Sequence, residues 1–94
     1  MIEMDEEKRK IISQAIWDLN LTPEEFVAII EGRIKKKWPD RGFCVARLLE
    51  SVNWFKIVEI FEPEFICGLW NDARGFVRLK TIREGMDFAC RLLQ

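Results

Sequence analysis

Apolar residues recur along most of this chain at intervals of three and four, the spacing that lines one side of an α-helix. The repeat is clearest over residues 5–19, 26–38, 54–61 and 82–93. Residues 43–49 are apolar at almost every position, which is typical of a central helix covered on most sides. The pattern predicts an all-α fold of five or six short helices in an orthogonal bundle.

Capping residues mark where several of these helices begin. Thr22-Pro23-Glu24-Glu25 combines an N-cap, a proline at the first helical position and a glutamate three residues after the cap. Thr81-Ile82-Arg83-Glu84 has the same capping-box spacing, while Asn53 and Glu62-Pro63 mark further starts. The predicted helices cover residues 5–19, 23–37, 43–50, 53–61, a brief segment from 63, and 81 onward.

The segment 65–79 has two interpretations. Its apolar runs, 65–70 and 76–79, flank the turn-like stretch Asn71 to Gly75, so they could pair as a small hairpin. The proline at position 63 instead favours a helix through residues 65–70. We predict the helix and retain the hairpin as the alternative.

The chain has 94 residues, too few for two units that each bury a core, so we expect a single domain over 1–94. Four Trp and seven Phe are a heavy aromatic load for so small an interior. We expect part of it to remain exposed and to bind a partner or a second copy. The candidate interface residues are Trp38, Trp54 and Trp70, and we assign Trp17 to the core.

Residues that support catalysis are scarce. The chain has no His and no Tyr, so the commonest general acid-base group and the commonest metal ligand are missing. Its carboxylate clusters, at residues 5–7, 24–25 and 62–64, lie at predicted helix starts, where the helix dipole explains them. The glycines are isolated and form no phosphate-binding loop. We predict no catalytic, cofactor-binding or metal-binding residue, and no enzyme.

The net charge of −1 produces no overall attraction to nucleic acid or to an anionic membrane. A local basic cluster, with Trp38 beside it, could contact a phosphate backbone and stack on a base. The competing interpretation is a helix C-terminus, where cations are favoured. Helices at 43–50 and 53–61 also suggest a helix-turn-helix, but the second offers few side chains that read bases. The candidate nucleic-acid contacts are Arg33, Lys35, Lys36, Lys37 and Arg41.

Two features indicate the compartment. No apolar run approaches the ~20 residues that a membrane-spanning helix needs. Cys44, Cys67 and Cys90 lie in apolar stretches, where a thiol behaves as a small hydrophobe. We expect reduced, buried thiols in a soluble, cytoplasmic protein that does not bind a membrane.

The chain also resembles a bacterial family of short helical domains of unassigned function. The resemblance spans roughly residues 16–93. It is carried by Ile16-Trp17-Asp18, Ile29-Ile30-x-x-Arg33, Leu48-Leu49 through Ile57-Val58, and Leu79-Lys80-Thr81 before Phe88. The sequence departs from the family in a basic, proline-broken link at 35–42 and an extra stretch at 71–75. Members look like companions of abortive-infection nucleotidyltransferase toxins, which implies an antitoxin-like or regulatory module and supplies no catalytic residues.

Together these features predict a non-enzymatic protein-interaction domain, antitoxin-like or regulatory, that binds a protein partner or itself. The alternative is a small DNA-associated transcriptional regulator that uses the basic segment 33–41.

Overall fold

The computed structural model describes residues 4–93, and all regular secondary structure within them is helical. Residues 1–3 and 94, which belong to the predicted domain, lie outside the described residues. The predicted all-α bundle is confirmed, and the hairpin alternative for 65–79 is wrong because one helix runs through most of it. In chain order the helices are α1 (Glu6–Ile16), α2 (Pro23–Glu31), α3 (Arg41–Ser51), α4 (Trp54–Ile57), α5 (Pro63–Arg74) and α6 (Lys80–Leu93).

Local side-chain bonds begin several helices where the sequence predicts. In the capping box of α2, the Glu25 backbone N–H donates to Thr22 Oγ1 (3.1 Å) and the Thr22 N–H donates to Glu25 Oε1 (2.9 Å). At α4 the Asn53 side chain accepts from the Phe55 N–H at 2.8 Å. Asp40 caps α3 in the same way by accepting from Phe43, so α3 begins at Arg41, two residues before its predicted start. Each bond satisfies a backbone donor that a helix start leaves unpaired.

Three helices are shorter than predicted. α1 ends at Ile16, before the predicted end at residue 19. α2 ends at Glu31 because Gly32 adopts the left-handed conformation (φ 83°) and its N–H donates back to the carbonyls of the last turn. The predicted extension to Lys37 is therefore wrong, since a glycine in this conformation terminates a helix whatever apolar spacing follows. α4 is a single turn, Trp54–Ile57, and does not cover the predicted 53–61.

α6 begins at Lys80, one residue before the predicted capping box at Thr81. A distant side chain holds the two residues before it, because Glu50 of α3 accepts from the backbone N–H groups of Arg78 (2.8 Å) and Leu79 (3.4 Å). A negative carboxylate near the N-terminus of a helix also interacts favourably with the positive end of the helix dipole. Glu50 thus fixes where α6 starts relative to α3.

α3 lies at the centre of the bundle, as its apolar sequence predicts, and packs against α1, α2, α4 and α5. Its contact with α5 is the most extensive between any two helices of the described chain. Gly42 permits this approach, because a Cβ built there would lie 2.6 Å from the carbonyl oxygen of Asp72 in α5. The largest fully buried side chains are Phe26, Ile12, Ile29, Ile30, Leu48, Ile57, Ile66, Val27, Val45 and Cys44.

α6 packs mainly against α5 and is joined to it by a disulfide between Cys67 and Cys90, whose Cα atoms are 5.3 Å apart. The expectation of reduced thiols is wrong for these two residues. α5 and α6 run antiparallel, so an early residue of α5 meets a late residue of α6, and treating each cysteine as a separate hydrophobe missed this. Cys44 is a free, buried thiol, and burial raises its pKa to about 12.

Candidate functional site

An open groove of about 600 Å³ lies between α6 and the segment where α3 passes into α4. We call it the α4–α6 groove. Its lining is mostly apolar, which is typical of binding sites. One wall consists of Ile82, Gly85, Met86 and Ala89, and the other of Leu49, Glu50, Ser51, Val52, Asn53, Trp54, Phe55 and Ile57.

The α6 wall follows from helical spacing, which places Ile82, Met86 and Ala89 on one face. Met86 is buried, so it anchors this face to the core. Gly85 is exposed, and a Cβ built there would meet nothing within 4 Å. Because Gly85 and Ala89 have little or no side chain, the backbone of α6 is accessible along the groove.

The opposite wall is positioned by the single turn of α4. Ile57 is fully buried and fixes this turn to the core. The Asn53 cap sets where the turn begins, which brings Trp54 to the groove half-buried against the core. Phe55, the next residue, is 76% exposed. One anchored and one free aromatic ring thus lie together on this side.

Glu50 is the one ionisable side chain among the described residues that line the groove. Its carboxylate accepts the two N–H groups that precede α6, so it is held at the groove's edge. Among the described residues that line the groove, Glu50 therefore supplies the one charge, and it is negative.

A second cavity, of about 420 Å³, also includes Glu50 in its lining and so adjoins the groove. Trp38, Phe43 and Phe76 form its aromatic side, with ring centroids 4.3 to 6.1 Å apart. The Arg47 guanidinium lies 5.3 Å from the Phe43 ring and pairs with Asp18, which lowers the pKa of that carboxyl. The two cavities share Glu50, and their linings come from α3, α4, α6 and the segments around Trp38 and Phe76.

Two of the four tryptophans have roles different from those predicted. Trp38 is 59% exposed in the second cavity, and Trp54 lines the groove. Trp70 is only 4% exposed, so its assignment to the interface is wrong. It lies one turn after the buried Ile66 on α5 and therefore faces the core. Trp17 is 80% exposed, so its assignment to the core is also wrong.

Trp70 takes part in a polar contact that secures α6. Its indole Nε1 donates to Asp87 Oδ1 at 2.8 Å, and Arg74 donates to both oxygens of the same carboxylate at 2.9 to 3.2 Å. The hydrogen bond from Arg74, then the one from Trp70, lowers the pKa of Asp87 to about 2. A carboxylate with a depressed pKa stabilises the fold while it is ionised.

We expect Asp87 to stabilise the protein fully above about pH 4 and to lose this contribution as the pH falls towards 2, because its pKa in the fold is about 2. Asp87→Asn retains an acceptor for Trp70 but loses the charge. Urea denaturation from pH 7 to pH 2 should show the variant less stable at pH 7, with the difference vanishing near pH 2. A difference that is constant with pH would contradict this assignment.

The five residues of the predicted basic cluster have two different environments in the structure. Arg33 pairs with Glu31 (2.6 Å), and the Arg41 Nε donates to the carbonyl oxygen of Ile30 (2.7 Å) at the end of α2. The three lysines between them are exposed, and residues 4–93 contain no ion pair to any of them. They lie beyond the end of α2 and not in its last turn. The exposed basic residues are Lys35, Lys36 and Lys37.

A helix-turn-helix would need a second helix long enough to enter the major groove, and α4 has only four residues. Within residues 4–93 no group of three or more His, Cys, Asp or Glu side chains is arranged to hold a metal ion. None of the helices in this range has the length and apolar character needed to cross a membrane. No protein-family model, curated protein or solved structure matches the chain.

Proposed function

We propose that this chain is a non-enzymatic protein-interaction domain that binds an amphipathic helix of a protein partner in the α4–α6 groove. The observation that carries the proposal is the apolar groove itself, with Trp54 on one wall and Gly85, which has no side chain, on the other. Recognition of an amphipathic helix requires an apolar groove of this kind. A half-buried tryptophan is a frequent anchor at such an interface.

Exposed apolar side chains extend the surface beyond the groove. Phe88 is 60% exposed and Leu92 is 72% exposed. Helical spacing places Leu92 close to Gly85 and Ala89 on α6, with Phe88 at the edge of the same face. Phe55 adds a third exposed ring on the opposite wall. Contiguous apolar surface is uncommon on monomeric proteins and marks sites of interaction, which supports a macromolecular partner.

The charge of the groove indicates the chemistry of the partner. Because Glu50 is the ionisable residue in the lining, a helix with Lys or Arg beside its apolar stripe complements the groove. A helix with Glu at those positions would place like charges together. The resemblance to companions of toxins supports a regulatory, antitoxin-like role for this binding.

The test uses helical peptides with leucines at positions i, i+3, i+4 and i+7, flanked either by lysines or by glutamates. We expect the lysine peptide to bind about two- to fivefold more tightly than the glutamate peptide, as measured by calorimetry. Gly85→Trp should weaken binding about tenfold or more, because the new ring occupies the groove.

Gly68→Trp is the matched control for this experiment. Gly68 is also an exposed glycine inside a helix with nothing within 4 Å of a Cβ, but it lies on α5 outside the groove. The Gly68→Trp variant should bind the lysine peptide as tightly as the unaltered chain does. Equal binding by Gly85→Trp would contradict the proposal, and a stable homodimer that excludes the peptide would assign the groove to a second copy instead.

A second candidate function is a small DNA-associated regulator. It is favoured by the three exposed lysines at 35–37 followed by the exposed Trp38. It predicts binding of single-stranded DNA that weakens steeply as salt increases. Fluorescence anisotropy should then show binding lost when Lys35, Lys36 and Lys37 are all changed to Gln, and unchanged affinity in that variant would reject the candidate.

A further inference from the structure

The C-terminal half of α6 has little non-covalent packing of its own. After Met86 the only buried side chain in this helix is Cys90, and Cys90 is bonded to Cys67 of α5. Phe88, Leu92 and the other residues of the last turn are exposed. Asp87 contacts Arg74 and Trp70, and Ala89 is half-buried. The disulfide is therefore the main link between the last turns of α6 and the bundle.

The same part of α6 forms a wall of the α4–α6 groove. Ala89 lines the groove one residue before Cys90, and Gly85 and Met86 line it one turn earlier. The groove exists because α6 is held beside the α3 to α4 segment. If the last turns of α6 separated from α5, Ala89 would no longer line the groove. Gly85 would then no longer lie at a fixed distance from the α3 to α4 segment.

We propose that the Cys67–Cys90 disulfide is a redox switch for the groove, in which reduction releases the C-terminal half of α6 and abolishes binding of the partner helix. This inference rests on the proposed function of the groove. It assigns the oxidised chain as the binding state and the reduced chain as the non-binding state.

The reaction is an exchange with a dithiol reductant. One thiolate of the dithiol attacks one sulfur of the Cys67–Cys90 bond, which breaks and gives a mixed disulfide and a cysteine thiolate that takes up a proton. The second thiol of the reductant displaces the remaining cysteine, which is also protonated. Two electrons and two protons pass to Cys67 and Cys90, and the dithiol becomes a cyclic disulfide.

The third cysteine does not take part in this exchange. Cys44 has no exposed surface, and a buried thiol with a raised pKa is a poor nucleophile at neutral pH. Cys67 and Cys90 are also nearly buried, at 5% and 4% exposed. Fraying of the last turn of α6, which is usual at helix ends, gives the reductant access to Cys90.

Hydrogen exchange on the full chain tests the release of α6. We compare the oxidised chain, the chain reduced with dithiothreitol, and the Cys67→Ala, Cys90→Ala double variant. Relative to the amides of α2 and α3, those of residues 87–93 should exchange about tenfold faster or more after reduction than before it, because α2 and α3 report only the loss of global stability. The double variant should behave like the reduced chain and should not respond to dithiothreitol.

Binding of the lysine-flanked peptide is measured in the same three samples. We expect about tenfold weaker binding, or more, in the reduced chain and in the double variant than in the oxidised chain. Unchanged exchange in α6 would overturn the proposal. An equal increase in exchange in all six helices would also overturn it, because reduction would then lower the stability of the whole fold without releasing α6. A peptide that binds both redox states equally contradicts only the switch, whereas one that never binds the oxidised chain contradicts the proposed function.

Discussion

Changing Gly42 to Ala is expected to lower the free energy of unfolding by about 2 kcal/mol, a typical cost of overpacking a tight contact. The added Cβ would lie 2.6 Å from the carbonyl oxygen of Asp72 and 3.3 Å from the Phe76 ring. The nearest atoms belong to backbone, so α3 and α5 must move apart for the methyl group to fit. Urea denaturation of the variant and the unaltered chain measures the difference.

Gly68→Ala is the matched control. It makes the same change in a helix interior, but no atom lies within 4 Å of the new Cβ. Alanine is a better helix former than glycine, so we expect this variant to gain about 0.5 to 1 kcal/mol of stability. The two substitutions should therefore have opposite signs. Two gains of similar size would show that α3 and α5 are not in close contact at Gly42.

Reduction of the Cys67–Cys90 disulfide is expected to lower the free energy of unfolding by about 3 kcal/mol. The bond joins residues separated by 23 positions, so it restricts the unfolded chain and reduces the entropy that unfolding gains. Denaturation with and without dithiothreitol measures the effect. The chain should remain folded after reduction, since its core is formed mainly by α1, α2, α3 and α5.

The double variant Cys67→Ala, Cys90→Ala provides the control for the reductant. Its stability should be close to that of the reduced chain and should not change with dithiothreitol. A stability that is the same in the oxidised and the reduced chain would contradict the covalent attachment of α6 to α5. The redox switch would then have no basis.

The helices were predictable wherever their signals are local. The capping box at Thr22 and the proline at 63 both mark helix starts. The first N–H groups of a helix have no partner within the helix. The Thr22 side chain accepts from one of them, and proline has no N–H that would need a partner. The central position of α3 also follows from sequence, since a segment that is apolar on most sides must be buried. Such features need no knowledge of distant contacts.

The ends of helices were less predictable because other interactions decide them. The apolar spacing continued past Gly32 to Trp38, yet the left-handed glycine ends α2 at Glu31. The start of α6 depends on Glu50, which is far from it in sequence. No pattern within residues 80–84 could show that a side chain of another helix holds residues 78 and 79.

The candidate site was predicted only in part. Trp54 lines the groove, but Gly85, Ala89 and Phe55 were not singled out. A small residue inside the apolar face of a helix, such as Gly85, is a weak signal of a surface that approaches a partner closely. Trp70 and Trp17 were exchanged in role because aromatic identity alone does not tell an anchor in the core from an exposed ring.

The central claim is that the α4–α6 groove binds the partner helix, and an NMR titration with the lysine-flanked peptide tests it most directly. The backbone amide of Gly85 and the indole N–H of Trp54 should shift as peptide is added. The indole N–H of Trp70, which is bonded to Asp87, and the amides of residues 35–37 should not shift. Shifts at residues 35–37 while Gly85 and Trp54 stay unchanged would contradict the claim.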